Sequence, residues 1–401
     1  MSDLPPSEQE ADGPALPAAA FAPLADPVFR TLWVVWFTAN VCMSMNDVAA
    51  AWLMTSLTTS PVMVALVQTA ATLPVFLLGL PSGALADILD RRRYFVVTQF
   101  WVAATALLLC LAIVSDAINP TLLLLLVFAN GIGLAMRWPV YSAIVPGLVP
   151  RVQLPAALAL NGLAMNASRI AGPVLAGALI AGAGTAWVFV VNAVLSVIAG
   201  FLILRWETVV EPSALPGERF LGAMRVGVQY VRQSAAMRAV LVRVMNFFGQ
   251  STALIALLPL VARGMHGGSA GTYTLLFASL GFGAILSVFM LPHMRHRRTR
   301  DELIRDGSVV QAAAMIAAGF APNVYVAVPV MVVAGMAWLT VANSISIAAQ
   351  LALPNWVRAR GMSTFQVALM GGAGAGAALW GQVAALTDVR TSLAVAAVTG
   401  V

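Results

Sequence analysis

At 401 residues, 60% hydrophobic and only 9% charged, with mean hydropathy +0.89, the chain lies far outside soluble composition. Its formal charge of +6 rests on arginine alone, because the sequence contains no lysine. That excludes a Walker A phosphate loop and Schiff-base chemistry on lysine.

A spanning helix needs ~20 mainly apolar residues, and only helices or closed barrels satisfy the backbone in lipid. The chain offers about a dozen such runs and none of the short alternating strands of a barrel. It therefore reads as an all-α polytopic membrane protein. Residues 1–28 are acidic and rich in Pro and Ala, without the basic start of a signal peptide, and are expected to form a disordered cytoplasmic tail. The predicted spans are 29–55, 62–86, 94–115, 120–147, 154–181 and 185–205. After a polar linker they resume at 236–262, 270–292, 304–321, 324–350, 357–386 and 390 onward. The stretch after Arg390 holds 11 residues, ~16 Å of helix, so the twelfth span is incomplete and truncation of the chain is expected.

Arginine orients these spans. With the N-terminus in the cytoplasm, 17 of the 22 arginines fall on the cytoplasmic side and two, Arg263 and Arg390, on the other. Arg137, Arg169 and Arg243 lie within spans. The linker 206–235 separates an N-terminal half, 29–205, from a C-terminal half, 236–401. Its stretch RFLGAMRVGVQYVRQS carries arginines at helical spacing, as an interfacial helix does. A shift of 204 residues superposes Pro150 on Pro354, Ala164 on Ala368, Gly172 on Gly376, Leu175 on Leu379 and Gly177 on Gly381. Two duplicated halves predict alternating access around a site at their interface.

Polar residues recur at helical spacing on every third span. Span 1 carries Trp36, Asn40, Ser44 and Asp47; span 4 carries Asn130, Arg137 and Tyr141; span 7 carries Arg243, Asn246 and Gln250; span 10 carries Asn343, Ser346 and Gln350. Spans 3, 6 and 9 offer fewer, Gln99, Asn192 and Gln311. The four polar stripes are the candidate walls of a central cavity, although each amide or hydroxyl taken singly is better explained as interhelical packing glue. Trp36, Trp138 and Trp338 are either core or stacking surfaces. The run GGAGAGAA (371–378) reads first as a close-packing surface and second as a hinge.

Asp47 lies ~25 Å from the cytoplasmic edge and Arg169 ~22 Å, so depth pairs these two, with Arg137 as a cavity-facing alternative. Three roles stay open for the pair: a static salt bridge, a proton-coupling carboxylate whose proton affinity follows the position of the arginine, or direct substrate contact. Pro173 removes the hydrogen bond to the carbonyl of Arg169 and bends span 5 at Gly172–Pro173, for packing or for gating. The histidines His266, His293 and His296 fall at loops or span ends, and no HExxH pair occurs, so neither a metal site nor a cofactor is expected.

At the end of span 2 stands GALADILDRRR (83–93), in which small residues permit close helix approach and the arginines anchor the loop. Together with LTTSPVMVALVQTAATLP (57–74) and LPAALALNGLAMNASRIAGPVLAG (154–177), it resembles the major facilitator superfamily in its enterobactin-exporter and macrolide-efflux-like branch. The resemblance covers spans 1 to 6 well and the second half weakly. Asp90 and Ile88 stand where the wider superfamily has glycine and a basic residue. The resemblance implies a 6+6 helical bundle whose spans 1, 4, 7 and 10 line the cavity. It also implies a state-dependent latch of Gly83, Asp87, Asp90, Arg91 and Arg92 against span 11. The Gly172–Pro173 kink is similar to one associated with antiport. The expected function is a secondary active exporter of small amphiphilic organic molecules, drug- or siderophore-like, by proton antiport. An uncoupled facilitator or lipid translocator is the alternative, a non-transporting receptor or scaffold a weaker one, and an enzyme is not expected. The expected partners are a small-molecule substrate, protons and membrane lipid, with no nucleic acid, for a monomer in the bacterial inner membrane with a cytoplasmic N-terminus.

Overall fold

The computed structural model describes residues 21–206, 229, 233–354 and 357–400. The interfacial helix expected between 206 and 235, and most of the expected tail, lie outside the described residues. Within that tail, residues 21–28 are ordered. A 3₁₀ turn at Ala22–Ala25 leads to Asp26, whose Oδ1 accepts from the amides of Val28 and Phe29 and caps the first long helix.

Among the described residues eleven long helices and a short twelfth follow: α1 (Pro27–Leu57), α2 (Pro61–Ile88), α3 (Arg91–Val114), α4 (Pro120–Ile144), α5 (Leu154–Ala183) and α6 (Thr185–Leu204). The second set is α7 (Ala235–Gly264), α8 (Ala270–Arg297), α9 (Arg300–Phe320), α10 (Val324–Leu351), α11 (Arg358–Leu386) and α12 (Val389–Thr399). The first eleven are long and apolar enough to cross a membrane, whereas α12 has 11 residues, as its sequence indicated. Helix starts are written locally. Proline stands in the first turn of α1, α2 and α4, and Asp90, Asn119, Ser234, Ser269, Thr299, Asn323 and Asp388 cap their helices with side-chain acceptors.

The halves meet chiefly along two seams, α2 against α11 and α5 against α8. Small residues allow close approaches both within each half and across these seams, and they repeat at the 204-residue offset. Gly172 of α5 lies on Ser44 of α1, and Gly376 of α11 lies on the backbone of Gly249 in α7. Gly177 of α5 meets Thr274 of α8, and Gly381 of α11 meets Ala65 of α2. A further pair at the same offset, Gly131 and Gly335, packs α4 on α2 and α10 on α8. The glycine run of α11 is thus a two-sided packing surface. Thr69 Oγ1 donates to the Gly374 carbonyl (2.8 Å), and Trp380 Nε1 donates to the Gly249 carbonyl (3.0 Å).

The apolar core is not uniform along the bundle. At the end opposite the start of α1, called here the far end, one continuous cluster joins both halves, including Met54, Leu123, Leu257, Tyr273, Met331 and Leu393. At the near end, where α1 begins, the core divides. One cluster around Phe29, Phe95 and Ile203 belongs to the first half, and another around Met237, Ile345 and Phe365 belongs to the second. Apolar burial, at roughly 25 cal/mol per Å², therefore holds the halves to each other at the far end and only within themselves at the near end.

Candidate functional site

Asp47 sits on α1 one turn from the far-end seal. That seal stacks Trp52 of α1 on Tyr273 of α8, with ring centroids 6.1 Å apart, and lays Arg263 of α7 over the Trp52 ring at 5.0 Å. Beneath it Asp47 borders two small cavities. One is lined by Asn46, Asn130, Gly131 and Phe189, the other by Gln68, Ala256, Tyr273 and Phe277. Each holds ≈ 20 Å³, room for about one water molecule. Asn46 Oδ1 is buried and accepts no hydrogen bond among the described residues. Asn130 donates to Thr105 Oγ1 at 3.0 Å.

The depth-matched pair of Asp47 and Arg169 does not form in this structure. The ion pairs among the described residues are Arg243–Asp301 (2.9 Å), Arg298–Asp306 (3.0 Å) and Arg305–Asp306 (3.0 Å), all solvent-exposed and worth little individually. Depth fixes distance along a helix and says nothing about azimuth. Asp47 borders cavities lined by residues of α2, α4, α7 and α8, whereas Arg169 of α5 crosses to the other half and lies 5.0 Å over the ring of Trp338 in α10. Arg137 is almost fully buried within the first half. It donates to the Ala39 carbonyl at 3.4 Å, lies 5.8 Å over the Trp36 ring, and leaves its Nε without a partner.

The polar stripes point in several directions. Trp36 stacks face to face on Tyr141, 4.0 Å between centroids, and Tyr141 donates to Asn161 Oδ1 at 2.9 Å. Asn40 turns back onto the Trp36 carbonyl (2.7 Å), and Ser44 is buried beneath Gly172. These are contacts inside the first half. Gln250 faces Asn246 on its own helix and Thr399 of α12. Asn343 and Ser346 are partly exposed and Gln350 exposed on α10, without hydrogen-bond partners among the described residues. Trp138 is exposed, 6.4 Å from Trp36. Gln99, Asn192 and Gln311 are buried in α3, α6 and α9.

Of the expected latch, Gly83 and Asp87 have backbone in α2, and their side chains lie outside the described residues. Asp90 caps α3 by accepting from the Arg93 amide (2.9 Å). Arg91 donates to the Ala143 carbonyl at 3.1 Å and Arg92 to the Leu204 carbonyl, so both satisfy C-terminal carbonyls within the first half rather than reach α11. Pro173 lies inside α5, and the carbonyl it frees, that of Arg169, abuts Gly281 of α8. Sequence reasoning did not single out Asn46, Gln68, Tyr273, Trp52 or Phe248. Their only signal was polarity or aromaticity inside an apolar span. Cys42 and Cys110 are free and buried, and no group of three or more metal-binding side chains occurs among the described residues.

Two six-helix halves, seamed by small residues and enclosing unpaired charges, define a multi-pass secondary transporter of the major-facilitator type. The sequence model of the family described as transmembrane secretion effectors matches residues 18–400, and the chain belongs to that family. It is 20% identical to macrolide efflux protein A of Streptococcus pyogenes over 303 residues, 74% of this chain and 73% of that protein. It is 22% identical to the staphyloferrin A transporter of Staphylococcus aureus over 251 residues, 62% of each. Among solved structures, the nucleoside transporter NupG matches with TM-score 0.74 at 13% identity, covering 93% of this chain and 96% of that one. A bacterial homologue of the lysosomal transporter Spinster, inward-facing and unoccupied, matches with TM-score 0.72 at 16% identity, covering 93% and 84%. These likenesses concern the fold. The family and its relatives are transporters, not enzymes.

Proposed function

We propose that the chain is a secondary active exporter of small amphiphilic organic molecules, drug- or siderophore-like, driven by proton antiport through alternating access. The observation that carries this reading is Asp47. It is a carboxylate with neither an ion pair nor a hydrogen bond among the described residues, placed between water-sized cavities in the core that joins the halves. A static structural charge is expected to be paired, because an unpaired charge near the bilayer centre costs ~2.5–3.5 kcal/mol on insertion scales. A proton carrier has to be free to lose and regain its proton. The divided near-end core supports a state open toward the near end, and the arginine bias supports a near end in the bacterial cytoplasm, with the N-terminus there and the chain in the inner membrane.

In this cycle the near-end cleft admits substrate from the cytoplasm while the Trp52–Tyr273–Arg263 seal holds the far end shut. Opening the far side separates α1 from α8, wets the Asp47 cavities and exchanges the proton there. Arg137 stays as a fixed charge of the first half. Lipid surrounds a monomer, and no nucleic acid takes part. The test is transport in proteoliposomes containing the purified full chain, with an imposed pH gradient and a panel drawn from a gene-deletion susceptibility screen over drugs and siderophores. Gradient-driven accumulation of a hit is the expected result, and transport indifferent to the gradient sinks the coupling. An Asp47→Asn variant that keeps full accumulation favours the uncoupled facilitator or lipid translocator.

A further inference from the structure

We infer that Arg169 and Trp338 together form the recognition site for substrate, and that the class of molecule it takes is an organic anion carrying a flat apolar portion. This deepens the exporter reading and rests on it. Arg169 lies in the middle of α5, partly exposed, with no carboxylate and no hydrogen-bond acceptor among the described residues. Its guanidinium lies 5.0 Å from the Trp338 ring on the opposite half. A guanidinium presents five N–H donors in a planar fork. Here an aromatic face meets its charge in part, and the donors remain unspent.

Both partners are held so that only their functional ends are free. Pro173 cannot donate to the Arg169 carbonyl, and that oxygen is pressed against the bare Cα of Gly281, where an added Cβ would stand 2.7 Å from it. The Arg169 backbone is thereby fixed to α8 while its side chain reaches α10. Trp338 is braced by Phe248 of α7, edge to face with centroids 5.6 Å apart, and is itself partly exposed.

Charge decides the class of ligand. Away from the helix ends and the exposed near-end ion pairs, the bundle holds Asp47, Arg137 and Arg169, and Asp47 is paired with neither arginine. Helices α2, α8, α10 and α11 carry no charged residue through their apolar stretches. The middle of the bundle is therefore net positive. A carboxylate, phosphonate or sulfonate supplies the acceptors that Arg169 lacks, in a geometry that suits a guanidinium. The indole, shared or released by Arg169, then stacks the flat part of the molecule. A cationic amphiphile meets two like charges and an indole face already occupied by a cation. Arg169 and Trp338 belong to opposite halves, so ligand uptake exchanges an inter-half contact and biases the conformational equilibrium directly.

The test uses two xanthene dyes of similar size and opposite charge, fluorescein and rhodamine 123. Binding to the full chain in lipid nanodiscs is followed by fluorescence anisotropy. Fluorescein is expected to bind at least about tenfold more tightly than rhodamine 123. Arg169→Gln should erase that preference, Arg169→Lys should keep part of it, Trp338→Leu should weaken fluorescein by about tenfold, and Trp338→Phe should retain most binding. The conservative Lys and Phe variants guard against misfolding of the others. Equal binding of both dyes, binding of neither, or a fluorescein affinity untouched by Arg169→Gln overturns the proposal. Proteoliposome flux separates the two readings. Arg169-dependent binding without gradient-driven flux defeats the exporter and leaves the site standing. Flux of a hit unaffected by Arg169→Gln defeats the site and leaves the exporter.

Discussion

Replacing Asp47 by Asn separates a paired carboxylate from a free one by the sign of its effect. Removing one partner of a buried ion pair costs about 3–5 kcal/mol, so a structural Asp47 would make Asp47→Asn strongly destabilising. Asp47 has no ionic partner among the described residues, and its isolation within the bundle costs up to ~2.5–3.5 kcal/mol on insertion scales. The amide recovers much of that and forfeits about 1–3 kcal/mol wherever its own groups go unsatisfied. Each adjacent cavity, at ≈ 20 Å³, has room for the water that satisfies them. The net expectation is a change from near zero to about 2 kcal/mol in the stabilising direction, read as an unchanged or raised unfolding midpoint in detergent. In the same preparation, gradient-driven accumulation should fall to that of empty liposomes while substrate exchange at equal concentrations persists. A loss of about 3 kcal/mol or more, or accumulation at the level of the unchanged chain, refutes the reasoning.

Gly376→Ala drives a methyl into the Gly249 backbone, where no side chain can yield. It should cost about 1–3 kcal/mol, seen as a lowered unfolding midpoint, whereas Gly182→Ala, with open space around it, should not. Trp52→Ala removes an aromatic stack and a cation–π contact from the far-end seal, together about 1–2.5 kcal/mol. Labelling of an Ala51→Cys probe by a membrane-impermeant thiol reagent from the far side, with Cys42 and Cys110 replaced, should quicken by roughly tenfold. Hydrogen bonds from the Thr391 side chain and the Thr391 and Arg390 amides hold the Asp388 carboxyl below the usual aspartate range. Its folded-state proton affinity is depressed, so the cap on α12 is fully present above an ordinary aspartate pKa of about 4. That contribution is lost as pH falls through the still lower folded value. Hydrogen exchange of α12 should accelerate over that acidic window, and Asp388→Asn, which keeps an acceptor, should remove the pH dependence.

The spans could be read from the sequence because lipid leaves the backbone no choice. Each segment must satisfy its own N–H and C=O groups, so hydropathy and length nearly define a helix. Span 10, expected over 324–350, is Val324–Leu351, and span 6, expected over 185–205, is Thr185–Leu204. The duplicated halves were legible for a related reason. Glycines kept at a 204-residue offset perform the same close approaches in each half, Gly172 on α1 and Gly376 on α7. The charges in the middle of the bundle were legible as residues but not as a constellation. Arginine has a long, flexible side chain that takes whichever partner the tertiary structure offers, here the indole of Trp338 for Arg169 and the Ala39 carbonyl with Trp36 for Arg137.

By itself, then, the sequence determined a polytopic helical protein of two related halves and the charged residues within its spans, Asp47, Arg137, Arg169 and Arg243. Tertiary structure alone decided which of those charges meet. Position along a helix is set by the chain at 1.5 Å per residue, but the rotation of one helix against another is set by side-chain packing across seams such as α5–α8. There Gly281 admits the Arg169 carbonyl, and the guanidinium meets Trp338 of α10.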